Sequence, residues 1–420
     1  MTNINQLLDG LSQLHPKVID LSLGRLLSLL KKLDNPHLKL PPTIHIAGTN
    51  GKGSTQAFLK SILQAHGKTV HAYTSPHLVK FNERIELCGQ AISDDDLSEL
   101  ILEVQKVNDG EAITFFEVTT AIAFLAFSRV PADYLLLEVG LGGRFDATNV
   151  IEQSVATAIT PIDIDHQEFL GSDIVKIAAE KAGILRKNTP SYWAKQQKVV
   201  TDELVRQAKN IDCPYKQEGT NWLVTPKAWQ MGKNSLPLTN LGLEGVHQNQ
   251  NAALALSLLK DILGDEFDDT KALLGLKNVS WPARLQQVGV NKFLPTSFSH
   301  ELWLDGAHNP HGAKALAAHI KDQWGDQPIY LIMGMLNNRN ADEWLESFDG
   351  LIAEAVTIPL TSTTNGHSPQ DLQYALQKRD IKSTAFMDMP SAFEYLSHLP
   401  KGRILMAGSL YMIGEFLSQI

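Results

Sequence analysis

The sequence predicts two α/β domains built on parallel sheets, a larger one carrying a phosphate-binding loop and a smaller one after it. Three observations predict this. The chain has 420 residues, more than one ordinary hydrophobic core accommodates. Apolar strand-like runs alternate with helix-period segments nearly throughout, the pattern of βαβ units. The run Ile46-Ala47-Gly48-Thr49-Asn50-Gly51-Lys52-Gly53-Ser54-Thr55 lies between a β-branched stretch and an amphipathic one. A strand, a Gly-rich turn with Lys and Ser/Thr, then a helix is the context in which backbone N–H groups and a helix N-terminus hold a polyphosphate. The loop departs from the common G-x-x-x-x-G-K-[ST] form: position 46 is Ile, and Gly53 separates Lys52 from Ser54.

In chain order, Thr43–Ala47 is apolar and β-branched enough for a buried strand. Ser54–His66 carries Phe58, Ile62 and Ala65 at helical spacing and stops at Gly67, a suitable residue to follow a helix end. A strand at Thr69–Tyr73 follows, then helices near Asp94–Val107 and Phe116–Phe127. Strands at Tyr134–Val139 and Val155–Thr160 precede a helix at Asp173–Leu185. From Glu301 the alternation restarts, with strands near Glu301–Leu304, Ile329–Met333, Ala355–Ile358, Ser383–Phe386 and Arg403–Met406. Val288–Ser299 has a Pro and no helical period, which places the junction there. The expected domains are residues 1–290, with the phosphate loop, and a smaller Rossmann-like domain, 291–420.

Composition narrows the setting. Hydrophobic residues at 43% and charged ones at 20% fit a soluble globular protein. Lys and Arg number 37 against 46 Asp and Glu, a net charge of −9, which argues against a nucleic-acid surface. An anionic substrate must therefore be caught by local groups. Cys88 and Cys213 form no C-x-x-C, so neither a disulfide framework nor a thiolate zinc site is expected. The N-terminus lacks the basic and apolar regions of a signal peptide, and no apolar stretch reaches the ~20 residues of a membrane span. A cytoplasmic protein is expected.

In parallel α/β sheets, ligands gather beyond the carboxyl ends of the strands. Ser75-Pro76-His77-Leu78 follows the strand ending at Tyr73. Glu138 ends Tyr134–Val139 and runs into Gly140-Leu141-Gly142-Gly143-Arg144-Phe145-Asp146-Ala147-Thr148-Asn149. Asp163, Asp165 and His166 follow the strand ending at Thr160. Hydroxyl, carboxylate and imidazole groups beside a polyphosphate suit Mg²⁺, a hard ion that shares substrate phosphates. Glu138, among Leu135, Leu136, Leu137 and Val139, would be costly to bury unless paired or metal-bound. Lys181 is a second anomaly. Ile174, Ile177, Ala178, Lys181 and Leu185 share one helix face. The lysine either snorkels to the surface, pairs with a carboxylate such as Glu138, or is buried and loses its proton. The neutral amine of that last case would react with carbon dioxide.

On these segments the chain resembles the bacterial dihydrofolate synthase/folylpolyglutamate synthase family, within the Mur-ligase-like amide ligases. Further matching segments are Asn82-Glu83-Arg84-Ile85, Thr114-Phe115-Phe116-Glu117, Glu180-Lys181-Ala182-Gly183-Ile184, Asn251-Ala252-Ala253, Trp281-Pro282-Ala283-Arg284 and Asp305-Gly306-Ala307-His308-Asn309-Pro310. They run in order over nearly the whole chain. The resemblance implies a phosphate-loop-containing Mur-ligase-type domain followed by the Rossmann-like one, the latter on the glutamate-binding side. It implies an ATP loop at Thr49, Asn50, Gly51, Lys52, Gly53 and Ser54, with nucleotide contacts from Asn251, Arg284 and Asp305. It places magnesium, two ions being expected, at Ser75, Glu138 and His166, and a carbamylated lysine at Lys181. Lys52, Lys181 and His166 are the implied catalytic groups. Pterin-substrate contacts fall on Thr114, Phe115, Phe116 and Glu117, on Phe145, Asp146 and Ala147, and on Leu21, Ser22 and Leu23. Ser22 and Gly24 stand where bifunctional members tend to have Gly and Glu.

The implied reaction transfers the γ-phosphoryl of ATP to a substrate carboxylate, and the glutamate amine displaces phosphate from the acyl phosphate. Both dihydropteroate and reduced folates are the expected acceptors, with folylpolyglutamate synthesis alone as the narrower form. The other candidates are a Mur-type muramyl ligase, which usually has a further N-terminal domain, and a nucleotide-binding regulator that does not turn over. The expected partners are small molecules, with neither nucleic acid nor membrane, and the chain is expected to be a monomer.

Overall fold

The computed structural model describes residues 4–15, 20, 22–289, 291 and 293–420. The chain forms two compact units, Met1–Gly242 with Asn249–Val279 and Leu243–Gln248 with Ser280–Ile420. Among the described residues no helix is long and apolar enough to cross a membrane.

The first unit is built on an eight-stranded sheet. Its strands are β1 (Thr43–Ala47), β2 (Val70–Tyr73), β3 (Ile85–Leu87), β4 (Gln90–Ala91), β5 (Tyr134–Glu138), β6 (Ala156–Ile159), β7 (Ser191–Trp193) and β8 (Tyr215–Gln217), in the order β4-β3-β2-β5-β1-β6-β7-β8. β2, β5, β1, β6, β7 and β8 are parallel, whereas β3 and β4 run antiparallel at the edge. β1 and β5 are buried along almost their whole length, as strands covered on both faces must be. Leu135 and Leu137 share one core with Leu30, Ile101 and Phe124. Val139 and Ile159 share another with Ile177, Trp193 and Leu204. A three-stranded antiparallel sheet, β9 (Leu223–Val224), β10 (Ala228–Met231) and β11 (Asn234–Pro237), stands apart from the main one. The expected parallel sheet is thus extended by antiparallel strands at its β3–β4 edge and accompanied by the small antiparallel sheet β9–β11. These strands are two to four residues long, too short to impose a readable alternation.

Chain reversal puts the first unit's site where it is. From central β1 the chain reaches β5 on one side and β6 on the other, so the carboxyl ends of three adjacent strands open into one crevice. Register makes this concrete: Ile46 of β1 pairs with Glu138, and Ala47 pairs with Ile159.

The second unit holds a six-stranded sheet of β12 (Gln286–Val288), β13 (Glu301–Asp305), β14 (Ile329–Met333), β15 (Glu354–Thr357), β16 (Ser383–Ala385) and β17 (Arg403–Ala407). Its order is β12-β13-β17-β14-β15-β16, parallel except for β12. Helices such as Pro310–Gln323 return between the strands, and Trp344, Phe348, Leu331 and Leu405 fill a core on one face.

Candidate active site

The phosphate loop follows β1 and opens the helix Lys52–Ala65. Gly51 caps that helix at φ 87° with no side chain accepting from it. A β-carbon there would also lie 2.5 Å from Asn251 Oδ1, so glycine lets the loop approach Asn251 closely. Asn251 itself is buried, and the Thr55 hydroxyl donates to its Oδ1 at 3.5 Å. The loop is strapped to the segment after β6. Thr49 N–H donates to Pro161 O at 2.9 Å, its hydroxyl donates to Asp163 O at 2.8 Å, and Asp163 N–H returns to the hydroxyl at 3.0 Å.

Two lysine side-chain nitrogens converge on one carbonyl oxygen of this loop. Lys181 Nζ donates to Gly48 O at 2.9 Å, and Lys52 Nζ donates to the same oxygen at 3.3 Å and to Thr49 O at 3.2 Å. Lys181 is 6% exposed. Burial first, and then the neighbouring Lys52, pull its amine down to about 7, opposed by a weaker attraction to Asp146. Of the three fates open to Lys181, burial excludes snorkelling to the surface, and its nitrogen donates to a backbone carbonyl. Its helix is shorter than expected: Ile174–Lys181 is α-helical, and Ala182–Ile184 tightens into a 3₁₀ turn.

What fixes Lys181 is a seam of two glycines. Arg144 N–H donates to Glu180 O at 2.8 Å. A β-carbon on Gly143 would fall 2.5 Å from Glu180 O and 2.9 Å from Lys181 Cα, and one on Gly183 would fall 2.4 Å from Arg144 Cα. These are backbone neighbours that cannot swing aside. Gly143→Ala is therefore expected to destabilise the protein by about 1–3 kcal/mol and to slow turnover with it. An unchanged melting curve and rate would remove the seam from the argument.

Glu138, 4% exposed at the end of β5, accepts from Ser75 N–H at 3.4 Å and lies 4.0 Å from Lys52 Nζ. His166 is half-buried at φ 52° and opens the short helix Gln167–Leu170, its N–H donating to Asp165 Oδ1 at 2.7 Å. Among the described residues no three His, Cys, Asp or Glu side chains are grouped to hold a metal. Ser75 and Glu138 offer the oxygen donors that a hard cation takes, and His166 a nitrogen donor less typical of it; such a cation would complete its shell with phosphate oxygens.

Thr114 caps the helix Phe115–Arg129 in a reciprocal box with Glu117. Glu117 Oε2 accepts from Thr114 N–H at 2.8 Å, from its hydroxyl at 2.7 Å and from Arg25 Nε at 3.1 Å, whereas Oε1 is buried without a hydrogen-bond partner. Phe116 packs its ring so closely on Gly140 that a β-carbon there would sit 2.4 Å from it, and Phe115 meets Phe81 edge-on. Asp146 is buried and accepts from Leu141 N–H at 2.8 Å and Thr148 N–H at 3.0 Å; burial raises its carboxyl, with these bonds opposing. Phe145 is 45% exposed, and Ala147 is buried beside it in sequence. Of the N-terminal segment, Leu21 lies outside the described residues. Ser22 N–H donates to Asp20 O at 2.9 Å, and Leu23 precedes the helix Gly24–Lys32. Arg25 ties this segment to Glu117, because its Nη1 also donates to Asp20 Oδ2 at 2.9 Å. Sequence reading gave Arg25 no role; its signal was a cation five residues after Asp20.

In the second unit, Asp305 ends β13 and is buried; Arg284 is half-buried. Burial pulls the His247 imidazole down to about 4, with Arg284, His319 and His311 adding repulsion and Asp305 opposing it.

Comparison with known proteins bears on this arrangement. Residues 293–410 match the family model described as Mur ligase, glutamate ligase domain. A dihydrofolate synthase/folylpolyglutamate synthase of Bacillus subtilis is 32% identical over 421 residues, covering 95% of this chain and 94% of its own. The chain belongs to the dihydrofolate synthase/folylpolyglutamate synthase family. The Escherichia coli enzyme solved in complex with DHPP and ADP superposes with a TM-score of 0.89 at 29% identity, over 100% of this chain and 97% of that one. A bifunctional folylpolyglutamate synthase/dihydrofolate synthase with Mn, AMPPNP and L-glutamate bound gives 0.87 at 28% identity, over 100% and 98%. As a member of this family, the protein is an ATP-dependent ligase with the two-unit α/β fold of these synthases. The Mur-type muramyl reading is not favoured.

Proposed function

We propose that the protein adds L-glutamate to dihydropteroate, forming dihydrofolate, and to reduced folates, forming folylpolyglutamates, with release of ADP and phosphate. The observation that carries this reading is the meeting of Lys52 and Lys181 on Gly48 O at the mouth of a helix-opening loop. The Lys52 cation and a helix N-terminus make a cradle for transferable phosphate in a chain whose net charge repels it, and Lys181 stands beside them.

In this reading Thr49, Asn50, Gly51, Gly53 and Ser54 present backbone N–H groups to the polyphosphate, and Lys52 offsets charge on the transferring phosphoryl. Catalysis is then positioning and electrostatics, with no side-chain nucleophile. Asn251 flanks the loop, and Arg284 and Asp305 of the second unit are assigned to nucleotide binding. Ser75, Glu138 and His166 would hold Mg²⁺, with two ions expected; when bound it neutralises phosphate charge as a Lewis acid. The neutral Lys181 amine takes up carbon dioxide as a carbamate, releasing one proton. Phe116, Phe145, Asp146 and Ala147 flank the pterin side with Thr114, Phe115, Leu21, Ser22 and Leu23. The unpartnered Glu117 Oε1 is an acceptor suited to an amino-substituted heterocycle. A cytoplasmic monomer remains the expectation.

The test is ADP release with glutamate and, in turn, dihydropteroate, tetrahydrofolate and a muramyl acceptor. Turnover with both pterin acids is expected; turnover with the muramyl acceptor alone overturns the reading. Glu138→Ala and His166→Ala are each expected to raise the Mg²⁺ midpoint and lower the maximum rate, on the order of 10²-fold for the carboxylate. A Mg²⁺ titration with unchanged midpoint and rate in both folded variants takes them out of the metal site.

A further inference from the structure

Arg25 lies in the first turn of the helix Gly24–Lys32, where a cation works against the positive end of the helix dipole. Two carboxylates offset this. Nη1 donates to Asp20 Oδ2 at 2.9 Å, Nε donates to Glu117 Oε2 at 3.1 Å, and Nη2 donates to Asp20 O at 3.1 Å. Asp20 O also accepts from Ser22 N–H at 2.9 Å, so Asp20 is gripped through its side chain and its carbonyl together. Glu117 stands 92 positions further along the chain than Arg25, in the first turn of the helix Phe115–Arg129. One planar guanidinium therefore joins the stretch before one helix to the capped start of another. The helix Gly24–Lys32 does not depend on this tie for its place. Leu26, Leu29 and Leu30 are buried and share a core with Val118, Ile122 and Phe124 of the second helix. What the arginine fixes is the stretch ahead of it, where Asp20, Ser22 and Leu23 are each only half-buried.

We infer that Arg25 is a positioning residue for the acceptor: it clasps Asp20, and with it Ser22 and Leu23, to the helix start at Thr114 and Glu117, so that two distant stretches of chain make one wall of the pterin side. The inference rests on the assignment of both stretches to the pterin acid made above, and supplies what holds them together. A guanidinium suits the task because its rigid fork serves different partners along different edges at once, whereas an ammonium is a point charge on a flexible stem. The clasp acts before substrate arrives. A segment docked only part of the time binds with an affinity lowered by the docked fraction. Once substrate holds it in place, phosphoryl transfer proceeds on an unaltered loop at Lys52. Loss of the clasp therefore reads in KM for the acceptor, with KM for ATP and kcat spared.

The test is steady-state turnover of the full chain, reading KM for dihydropteroate, KM for ATP and kcat separately, with melting temperatures as a check of folding. Arg25→Ala and Asp20→Ala are each expected to raise KM for dihydropteroate about tenfold, as for a docked fraction cut to about a tenth. KM for ATP and kcat should stay within about twofold of the parent. Arg25→Lys should fall between Arg25→Ala and the parent. In the Arg25→Ala background, Asp20→Ala should add less than about twofold, since the clasp is already gone. Losses that multiply in the double variant overturn the inference and make the two residues independent contributors. A rise in KM for ATP matching that for dihydropteroate, the mark of general loosening, overturns it too, and so does a folded Arg25→Ala protein with the parent's KM. Those outcomes leave the acceptor assignment standing. No turnover of the parent with dihydropteroate or tetrahydrofolate overturns that assignment, and the inference with it. If Arg25→Ala leaves the buried Glu117 carboxylate without its cation and does not fold, Asp20→Ala and Arg25→Lys, singly and combined, decide the matter by the same criterion.

Discussion

Lys52→Ala is expected to lower kcat for ADP release by about 10³-fold, the upper range for removing one preorganised charge at a phosphoryl or oxyanion site, in a protein that still folds. The large effect follows from where the ammonium is. It lies over the loop, 3.3 Å from Gly48 O and 3.2 Å from Thr49 O, beside the first turn of the helix Lys52–Ala65. Negative charge arriving there meets the lysine and the helix terminus together. Folding should survive because the side chain contributes no apolar core; Phe58, Leu59, Ile62 and Leu63 hold this helix down. Removing Lys52 also takes away the repulsion that lowers the Lys181 amine, so Lys181 should protonate more readily in the variant. The measurement is steady-state ADP release alongside a thermal melt. Near-normal turnover in a folded Lys52→Ala protein sinks the phosphate-loop assignment.

Lys181→Ala is expected to be comparably damaging, for a different reason. Its amine is lowered to about 7, so the neutral form gains population as pH rises through that value. Only that form adds to carbon dioxide. Lys181→Arg keeps a group that stays charged and cannot form a carbamate, and should be as inactive as the alanine variant. Short carboxylic acids are expected to restore part of the rate in Lys181→Ala by standing in for the missing carboxylate. The same shift has a stability consequence with a definite sign. Between about 7 and the ordinary 10.5 the folded protein binds fewer protons at this residue than the unfolded chain, so its contribution to stability improves as pH rises across that window. Lys181→Met, with nothing to titrate, should melt above the parent below about pH 7, and the gap should close toward 10.5. A high-resolution structure of active enzyme with an unmodified Lys181 ammonium would falsify the carbamate.

How much of this was legible in the sequence depended on element length and burial. β1 and β14 occupy the predicted residues because long β-branched or apolar runs leave little choice. Glu138 and Lys181 stood out because a charge inside an apolar pattern is conspicuous, and both are buried as that pattern implied. The β3–β4 hairpin and the β9–β11 meander carry no such signal in two to four residues each. Leu243–Gln248 groups with the second unit although it precedes residues of the first, a connectivity that local patterns do not encode. The ties of Asp305 were illegible for another reason: its partners are backbone N–H groups of residues 285 and 307, and no side-chain pattern announces a backbone donor.

The glycine seam also decides where this protein can afford to change. Val175 and Lys176 lie on the solvent side of the same helix and are exposed, so sequence drift there is nearly neutral. One methyl group at Gly143 or Gly183, by contrast, collides with main chain and must push the helix bodily outward, drawing the Lys181 amine away from Gly48. Tolerance to substitution is thus one-sided, open on the outer face and closed on the inner. The loop bearing Phe145, Asp146 and Ala147 is joined to that helix through Arg144 N–H, so a displacement of either is inherited by the other. Remodelling that loop would therefore have to spare residues 143 and 144, or accept a displaced Lys181 as its by-product.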